Sequence, residues 1–458
     1  MNKIKTTLII IGIILSILTI TIIIKLNILP IKYTTIILST ILVINILGII
    51  TIKSKLKILG IIIYIIIITI SLIATIYGII TLKYIKTGFN NNNIEITKYD
   101  VLVLKESNIN NINELKNIGY LKNKIENNYI ETIEKKEYQN IYKLYEDLIN
   151  KNIDSIILHD QYIELLQEKY KDINEKTKII HTIKIEDKKK KTTQIKELKP
   201  INIYISGSDS RNTEIEENTR TDVNMIMTIN PNTNEILLTS IPRDYYVQLH
   251  ETTGIKDKLT HSGIYGIEMS KKTLEDTLDI KIDYVVKVGF QSVIEIVDTL
   301  DGIDIESDQE FFSHCGDGGA TRTQIKKGIN HLNGSQALSY ARERYAYKEG
   351  DNHRIQNQQQ VLEAIIKKML EKNNANYSEL LDKIKKLYRT DIPESMIKLY
   401  IKKQINDNKK WTIKKQVLTG IDSMDETYSM PGIELYVMIP DEESIKKAKN
   451  NIEIMQSK

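Results

Sequence analysis

The chain has 458 residues and a formal net charge of +4, with 63 basic residues against 59 acidic ones. This near balance leaves no basic excess of the kind that nucleic-acid binding requires, so the composition argues against a nucleic-acid partner. One cysteine in a chain long enough for two or three domains excludes an intramolecular disulfide framework and a multi-cysteine zinc site.

Three apolar runs without a charged residue open the chain, at about 6–24, 33–52 and 58–82. Each is long enough to cross about 30 Å of hydrocarbon, so the sequence predicts three transmembrane helices rather than buried core helices. Lysines precede the first run and fill the gap between the second and third, which favours an N-terminus inside the cell. We therefore expect a multi-pass protein of the cell membrane whose remaining domains are extracytoplasmic.

The segment after the membrane region alternates short apolar runs with helical spacing. "DVLVL" and "DSIILH" are typical of strands, and "NIYKLYEDLINK" is typical of a helix. A small α/β accessory domain is therefore predicted, followed by the charged linker "EDKKKKTTQIKELKP". The expected organisation is a membrane region with its linker at 1–97, the accessory domain with its linker at 98–198, and a larger domain at 199–458.

The larger domain also has an α/β pattern. "NIYIS" and "IDYVVKV" predict strands, and "VNMIMTINPNTNEILLTSI" predicts a hairpin with an Asn/Pro turn. "GFQSVIEIVDTL" and "NGSQALSYARER" predict helices, and a long helix is expected from His353. Near the C-terminus, "KKWTIKKQVL" and "IELYVMI" predict strands, and Asp441 is placed to cap a last helix.

Two aspartates lie where predicted strands begin or end. Asp209 is in "GSDSR", directly after "NIYIS", and Asp222 is in "NTRTD", directly before the hairpin. Two carboxylates at the mouth of one sheet suit Mg²⁺, which takes one or two carboxylates and completes its shell with water and phosphate oxygens. The alternative for "GSDSR" is an ordinary loop, because loops favour Gly, Ser and Asp.

Arginines occupy the same ends of strands and helices, although lysine is the commoner basic residue in this chain. A guanidinium group is favoured over an ammonium group where planar, bidentate contact with phosphate oxygens is needed. The alternative is a surface network in which they pair with Glu343, Glu349 and Asp351. These arginines are Arg220, Arg243, Arg342, Arg344 and Arg354.

The long helix has a stripe that begins polar and continues apolar. Its members are spaced by four, three, four and four residues and so share one face: Arg354, Gln358, Val361, Ile365 and Met369. Three apolar residues at helical spacing in an earlier helix suit either the same cavity or ordinary core packing: Phe290, Val293 and Val297.

The order of these segments resembles the LytR–CpsA–Psr family of cell-wall glycopolymer ligases, over about 199–458. The segments are "GSDSR", "RTD", "LTSIPRDYYV", "KLTHSGIYG", "IDYVVKVGF", "VDTLDGIDI", "LNGSQALSYARER" and "GDNHRIQNQQQV". Three spans followed by a small domain resemble the capsule-associated branch of that family. Asn352 and His353 depart from the family form, which usually has phenylalanine or another residue there, and Thr221 stands where serine is frequent. His250 and His261 are expected to be exposed or structural, although His261 lies within a family motif.

The resemblance implies an α/β/α sandwich that holds a polyprenyl pyrophosphate, with the lipid tail between sheet and helices. It implies pyrophosphate contacts from Arg220, Arg243, Arg342, Arg344 and Arg354, help at the head group from Gln358, orientation of Arg344 or Arg354 by Asp351, and Mg²⁺ binding by Asp209 and Asp222. A helical face that is cationic at Arg354 and apolar along 361–369 matches such a ligand.

The activity implied by the resemblance is phosphoryl transfer. A muramic acid C6 hydroxyl of peptidoglycan attacks the sugar-proximal phosphorus of the lipid-linked glycopolymer, a capsular polysaccharide or wall teichoic acid, and polyprenyl phosphate leaves. Arg243 and the other arginines, with Mg²⁺, neutralise developing charge, and Asp222 or Asp209 is the candidate base. The alternatives are a membrane-anchored regulator that binds polyprenyl phosphates without catalysis and a pyrophosphate hydrolase using the same residues.

Overall fold

The structure is a computed structural model. It describes residues 2–89, 94–121, 133–138, 140–188, 195, 197–208, 219–313, 322–348, 350–371, 388–407 and 409–458.

Three helices open the chain and pack against one another. Each is long and apolar enough to cross a membrane, as the sequence predicts. The Tyr64 ring packs against Gly12 and Gly48 of the two neighbouring helices, where a Cβ atom would lie 2.7 Å and 2.9 Å from it. The third helix runs several residues further than predicted, into the segment expected to be linker. The helices are α1 (Asn2–Leu26), α2 (Ile31–Lys53) and α3 (Lys57–Phe89).

A five-stranded mixed sheet follows, in the order β3-β2-β4-β1-β5. Three helices pack on it, and a core of tyrosine, leucine and isoleucine side chains lies between them. The two strands and the helix that the sequence predicts are present, together with three further strands and two further helices. The elements are β1 (Ile94–Leu104), β2 (Asn117–Leu121), β3 (Glu134–Tyr138), α4 (Ile141–Ile149), β4 (Ser155–His159), α5 (Asp160–Lys169), α6 (Ile173–Lys176) and β5 (Thr177–Lys188).

The remaining residues form a larger α/β unit around a six-stranded sheet, in the order β16-β11-β6-β7-β8-β17. Its strands and helices are β6 (Ile201–Ser208), β7 (Val223–Asn230), β8 (Glu235–Ile241), β9 (Tyr246–Val247), β10 (Asp257–Lys258), α7 (Leu259–Ser262), α8 (Ile267–Leu278), β11 (Tyr284–Gly289), α9 (Phe290–Thr299), β12 (Ile303–Ser307), β13 (Phe311–Phe312), β14 (Gln324–Ile325), β15 (Gly328–Leu332), α10 (Gly334–Arg342), α11 (Asp351–Glu371), β16 (Tyr388–Thr390), α12 (Glu394–Asp407), β17 (Thr412–Val417), β18 (Gly420–Thr427), β19 (Met430–Pro440) and α13 (Glu442–Ser457).

Helices cover both faces of this sheet. Successive side chains of a strand point to opposite faces, so Tyr204 packs under α8 and α13 while Ile203 packs under α11 and α12. The α/β/α sandwich and the hairpin of β7 and β8 are therefore confirmed. Asp441 caps α13 as predicted, since its Oδ1 accepts a hydrogen bond from the Glu443 amide at 3.0 Å.

Four strands of the large sheet run in the same direction. β6 pairs in parallel with β11, and β8 pairs in parallel with β17, while β7 runs antiparallel between β6 and β8. The C-terminal ends of these parallel strands therefore meet at one edge of the sheet. Gly207, Arg243 and Gly289 lie at or just beyond those ends. This edge is where polar side chains of the sandwich come together.

The small and large units share a packed interface. Ile264 and Met430 of the large unit belong to the same apolar cluster as the helices α4 and α5. The turn between β18 and β19 reaches into it, where the Tyr142 hydroxyl donates a hydrogen bond to the Ser429 carbonyl at 3.0 Å. Burial raises the pKa of Tyr142 to about 12, so this hydroxyl is a neutral donor at physiological pH.

A buried carboxylate joins this interface to the segment beside the sheet edge. Asp257 is fully buried, and its two oxygens accept hydrogen bonds from the Ser429 amide and hydroxyl and from the Lys258 amide, and bond with His261 Nδ1 at 2.7 Å. The sequence predicts that His261 is exposed or structural, and these contacts give it a structural role. The next residue back, Thr260, bonds through its backbone with Arg243 and Thr221.

Replacing Asp257 with alanine is expected to destabilise the protein strongly. The substitution leaves several buried donors without an acceptor, a loss of about 3 kcal/mol or more. Thermal unfolding of the full chain in detergent measures it. The matched control is Asp276→Ala, because Asp276 makes the same kind of bond with His250 at 2.6 Å but its side chain is 56% exposed. The Asp276→Ala substitution should lower the free energy of unfolding by less than about 1 kcal/mol. Equal shifts in melting temperature would contradict the assignment.

Candidate functional site

A cavity of about 790 Å³ lies between the large sheet and helices α9, α10 and α11. Its walls divide into a charged end at the edge of the sheet and an apolar remainder. The lining residues are Ile205, Gly207, Ser208, Asp222, Val223, Met225, Arg243, Val288, Gly289, Phe290, Val293, Leu338, Ala341, Arg342, Arg344, Tyr345, Arg354, Gln358, Val361, Leu362 and Ile365.

An ion pair marks the charged end. Arg243 follows β8 and Asp222 precedes β7, and their side chains meet with Nη1 and Oδ1 2.9 Å apart. Both are about a quarter exposed, at 27% and 20%, so the pair faces the cavity without being fully solvated. Thr260 adds a longer hydrogen bond, 3.4 Å from its hydroxyl to the same carboxylate oxygen. The Asp222 amide bonds the Gly207 carbonyl at 2.8 Å, which fixes the residue against the end of β6.

A second carboxylate, that of Asp244, also contacts the guanidinium group of Arg243. Asp244 is buried, and its Oδ2 lies 3.4 Å from Nε of Arg243. Its other oxygen forms an ion pair with Lys258, which comes from the segment anchored by Asp257. Arg243 is therefore placed between two carboxylates, so its guanidinium group is oriented by the fold before any ligand arrives.

A buried polar cluster supports Asp222 from below the sheet edge. The Tyr204 hydroxyl donates to Asn224 Oδ1 at 2.6 Å, and Thr221 and Ser206 share a hydroxyl–hydroxyl bond of 2.8 Å. Burial raises the pKa of Tyr204 to about 12, so the hydroxyl keeps its proton and remains a donor. Thr221 thus contributes its hydroxyl to this cluster.

Arg342 and Arg344 converge because α10 ends between them. The helix stops at Arg342, and an extended Glu343 at its C-terminal cap turns the chain so that both arginines line the cavity. Arg342 lies over the Phe290 ring, 4.6 Å from its centroid. Gly334 allows α10 to cross α9 closely, since a Cβ atom there would lie 2.2 Å from the Ile294 carbonyl oxygen. Side chains two residues apart in a helix diverge by about 200°, so the two guanidinium groups meet only because the helix ends here.

The turn after α10 is held by Glu343, whose side chain is buried. Its Oε1 accepts hydrogen bonds from the amides of Tyr345 and Ala346, at 2.6 and 2.9 Å. A buried carboxylate that binds backbone amides does not belong to a surface ion-pair network, which argues against that alternative at Glu343. Arg344 bonds the hydroxyl of its neighbour Tyr345 at 2.6 Å, and Tyr345 is exposed at the mouth of the cavity.

Helix α11 supplies one wall of the cavity, with the stripe predicted from its spacing. Arg354 and Gln358 lie toward the charged end, and Val361 and Ile365 continue the same face into the apolar part. Arg354 is 9% exposed, so its guanidinium group is held where the apolar wall begins. Met369, the last member of the stripe, packs instead against the core beneath α9 and α10.

Ser208 is a polar lining residue that the sequence analysis did not single out. It is fully buried at the end of β6, and its hydroxyl has no hydrogen-bond partner among the described residues. A buried hydroxyl without a partner is costly, and it favours an additional polar group at this place. The signal available in the sequence was its position next to Asp209 in the loop that follows β6.

Some predicted residues are not part of the described cavity wall. Arg220 is not among the described residues that line the cavity, so its contact with pyrophosphate stays a prediction. Phe290 and Val293 line the cavity, whereas Val297 is fully buried in the core. Asp209 lies outside the described residues, as does the side chain of Asp351.

The charged end has some of the features that a divalent cation needs. Asp222 presents a carboxylate whose hydrogen bonds from Arg243 and Thr260 both reach Oδ1. One carboxylate with ligand phosphates and water is within the range of Mg²⁺ coordination. The described residues contain no cluster of three or more His, Cys, Asp or Glu side chains that could hold a metal alone. The donors present thus fit an ion that shares its ligands with a bound phosphate.

Other proteins resemble this chain over its C-terminal part. The teichoic acid transferase TagU of Bacillus mycoides, named as acting between a polyisoprenyl-teichoic acid and peptidoglycan, is 33% identical over 208 residues, which is 45% of this chain and 65% of the relative. TagU of Bacillus subtilis is 37% identical over 182 residues, 40% of this chain and 56% of the relative. The chain thus spans less than two thirds of the length of these curated relatives.

Solved structures resemble the same part of the chain. The crystal structure of TagV from B. subtilis is 28% identical, with a TM-score of 0.48, and covers 57% of this chain and 99% of that one. The crystal structure of B. subtilis TagU is 28% identical with a TM-score of 0.43, at 57% and 98% coverage.

A family model matches a longer stretch than these relatives do. The match begins within α5, upstream of the boundary predicted at 199, and ends in α13. It includes every segment on which the sequence resemblance rests. Because the LytR_cpsA_psr family model matches residues 166–453, more than half of the chain, the protein belongs to the LytR_cpsA_psr family.

Proposed function

We propose that the protein transfers a glycopolymer from a polyprenyl pyrophosphate to peptidoglycan. The observation that carries this proposal is one cavity with arginines at one end and an apolar wall along the rest. Few cellular ligands join an extended hydrocarbon to a compact polyanion, and a polyprenyl pyrophosphate is one of them. The transferase names of the TagU relatives support this substrate class.

The arginines suit the pyrophosphate group. Arg243, Arg342, Arg344 and Arg354 all line the same end of the cavity. Two neighbouring phosphates present several oxygens to planar, bidentate donors, which ammonium groups match less well. Arg354 is 9% exposed and Arg243 is held by Asp244, so contacts with these groups would be made in a partly dry site, where charge interactions are stronger than in water.

The apolar wall suits the lipid. Val293, Val361, Leu362 and Ile365 follow one another from the charged end into the cavity. Isoprenoid chains carry no hydrogen-bonding groups, so burial against such a wall removes hydrocarbon from water without leaving a polar group unpaired.

The proposed reaction is a displacement at phosphorus. The C6 hydroxyl oxygen of a muramic acid residue forms a bond to the sugar-proximal phosphorus, and the bond from that phosphorus to the bridging oxygen breaks. Polyprenyl phosphate leaves with that oxygen, and the hydroxyl proton passes to a base. Asp222 is a candidate base at the charged end, and the arginines stabilise charge that spreads over the phosphate oxygens.

Mg²⁺ is part of the proposal. Asp222 would hold it, with Asp209 as the second ligand expected from the sequence. A bound Mg²⁺ would supply charge stabilisation at the phosphates. Arg243 bonds the same Asp222 carboxylate through Oδ1 and so orients it.

We also propose that residues after α3 lie outside the cell. The lysines beside α1 and between α2 and α3 favour a cytoplasmic N-terminus, and three crossings then bring the large unit outside. The Lys402 ammonium of the large unit donates a hydrogen bond to Asn27, in the connection between α1 and α2, at 2.8 Å. Three crossings put that connection and the residues after α3 on one side in either orientation, so this contact supports the number of crossings, and the lysines support the orientation.

Substituting lysine for Arg344 or Arg354 is expected to slow transfer by roughly thirty- to a thousandfold. Lysine keeps the charge but loses the planar pair of donors, a loss of about 2–4 kcal/mol of transition-state stabilisation. The assay uses the full chain, a lipid-linked glycan and peptidoglycan oligomers, and follows both the phosphodiester product and free glycan phosphate. It therefore separates transfer from hydrolysis.

Arg322→Lys is the matched control for these substitutions. Arg322 also lies against an aromatic ring, 5.3 Å from the Phe312 centroid, but it does not line the cavity. We expect its transfer rate to match the unaltered protein. Unchanged rates in Arg344→Lys and Arg354→Lys, or an equal loss in Arg322→Lys, would refute the proposed site, and hydrolysis without transfer would refute the proposed reaction.

Asp222→Ala is expected to abolish transfer and weaken metal binding, because it removes the carboxylate that would hold Mg²⁺. Binding of Mn²⁺ as a paramagnetic substitute should weaken by at least about tenfold. Binding of polyprenyl pyrophosphate should remain measurable, since the arginines are still present. Full transfer in the variant, or in excess chelator, would remove the metal from the mechanism.

A reporter enzyme that works only in the cytoplasm should be silent when fused after Lys458. The same reporter inserted after Lys53, in the connection between α2 and α3, should be active, because that connection is expected inside. The paired fusions control for expression. Activity at Lys458 together with silence at Lys53 would reverse the proposed orientation.

A further inference from the structure

Helix α12 and the residues after it carry a local excess of positive charge. Between 395 and 411 the sequence has one acidic residue, Asp407, which pairs with Lys403 at 2.6 Å. We call the stretch 395–411 the basic foot. Its lysines are Lys398, Lys402, Lys403, Lys409 and Lys410.

The basic foot lies beside the membrane-spanning helices. Lys402 Nζ is 2.8 Å from Asn27 Oδ1, and α12 also contacts α3. Asn27 is in the short connection between α1 and α2, two helices that are each long enough to cross a bilayer. The connection between two such spans lies at the surface of the bilayer, so Lys402 is held at that level.

The foot is attached firmly to the large unit. Met396 is buried against the sheet, and Tyr400 packs on the same cluster. The Trp411 indole donates to Gln404 Oε1 at 2.8 Å, and its ring is 6.3 Å from that of Tyr400. The lysines are thus carried on a fixed scaffold, and Lys409 and Lys410 are exposed beside the indole. Tryptophan and tyrosine next to lysine are typical of a membrane–water interface.

We propose that the basic foot binds anionic phospholipid headgroups of the membrane that anchors the chain. A lysine ammonium suits a fluid layer of phosphate diesters, because it is a point charge that needs no fixed bidentate geometry. The place of the foot, level with the connection between two spans, puts its charges within a Debye length of such headgroups. This proposal is independent of the transferase function.

The position of the basic foot relative to the large sheet favours lipid over an anionic polymer as its ligand. Trp411 directly precedes β17, and the first residue of β17, Thr412, pairs with Glu235 at the start of β8, which is the end of the large sheet opposite Gly207 and Arg243. The foot is therefore at the membrane end of the sandwich, whereas the charged end of the cavity is at the other. A soluble glycopolymer bound for transfer would lie near the charged end of the cavity.

Trp411 provides the measurement, since it is the one tryptophan in the chain. The full chain is reconstituted into vesicles of phosphatidylcholine, with or without phosphatidylglycerol, containing a lipid brominated near the headgroup. We expect the brominated lipid to quench Trp411 more strongly when phosphatidylglycerol is present, and this additional quenching should fall as salt is added. Each lysine near an anionic surface strengthens binding to that surface about fivefold, so the additional quenching depends strongly on the number of lysines.

Two matched double substitutions test the role of the foot. Lys409→Gln with Lys410→Gln should remove most of the additional Trp411 quenching that phosphatidylglycerol causes. Lys446→Gln with Lys447→Gln removes the same charge from an exposed pair on α13 and should leave it unchanged.

Equal quenching in the two kinds of vesicle, or equal effects of the two variants, would overturn the proposal. A third arm adds soluble inorganic polyphosphate to phosphatidylcholine vesicles. A change in Trp411 emission there, with none from phosphatidylglycerol, would assign the foot to an anionic polymer and also overturn it.

Discussion

The structure depends on how it accommodates several positive charges in one partly dry cavity. Four guanidinium groups line it, while Asp222 is the one acidic residue among the described lining residues. Like charges repel strongly where water is excluded, so the fold must hold these side chains apart and in place. It does so through neighbouring groups: Asp244 contacts Arg243, the Phe290 ring lies against Arg342, and the Tyr345 hydroxyl bonds Arg344. A bound dianion would offset much of this positive charge, so a ligand of that kind would stabilise the folded state.

The part of the site that follows from local periodicity could be predicted from the sequence. Arg354, Gln358, Val361 and Ile365 share a face because a helix repeats every 3.6 residues, and all four line the cavity. Arg342 and Arg344 lie two residues apart, so they meet only because α10 ends there. The two opposite faces of the large sheet also follow from alternation along its strands. These inferences need no knowledge of distant contacts.

The parts that depend on distant contacts could not be predicted in this way. Asp257 and Ser429 are 172 residues apart, and neither has a local pattern that points to the other. Arg220 is predicted at the same site as Asp222, but β7 begins only at Val223, so the periodicity of the strand does not extend back to Arg220 and the direction of its side chain does not follow from the sequence.

The orientation of the sandwich relates the cavity to the membrane. Ile201 begins β6 near α12, and Gly207 ends the strand at the charged end, six residues and so about 20 Å further. The apolar layer is continuous over that distance, because Leu362 lines the cavity and also packs in the cluster that contains Met396, Tyr400 and Trp411. A hydrocarbon chain that leaves the cavity along this layer approaches the spans instead of the solvent. On the proposed function, the carrier lipid then keeps its tail toward the bilayer while its phosphates reach the arginines above the headgroup layer, where a peptidoglycan hydroxyl has access to them.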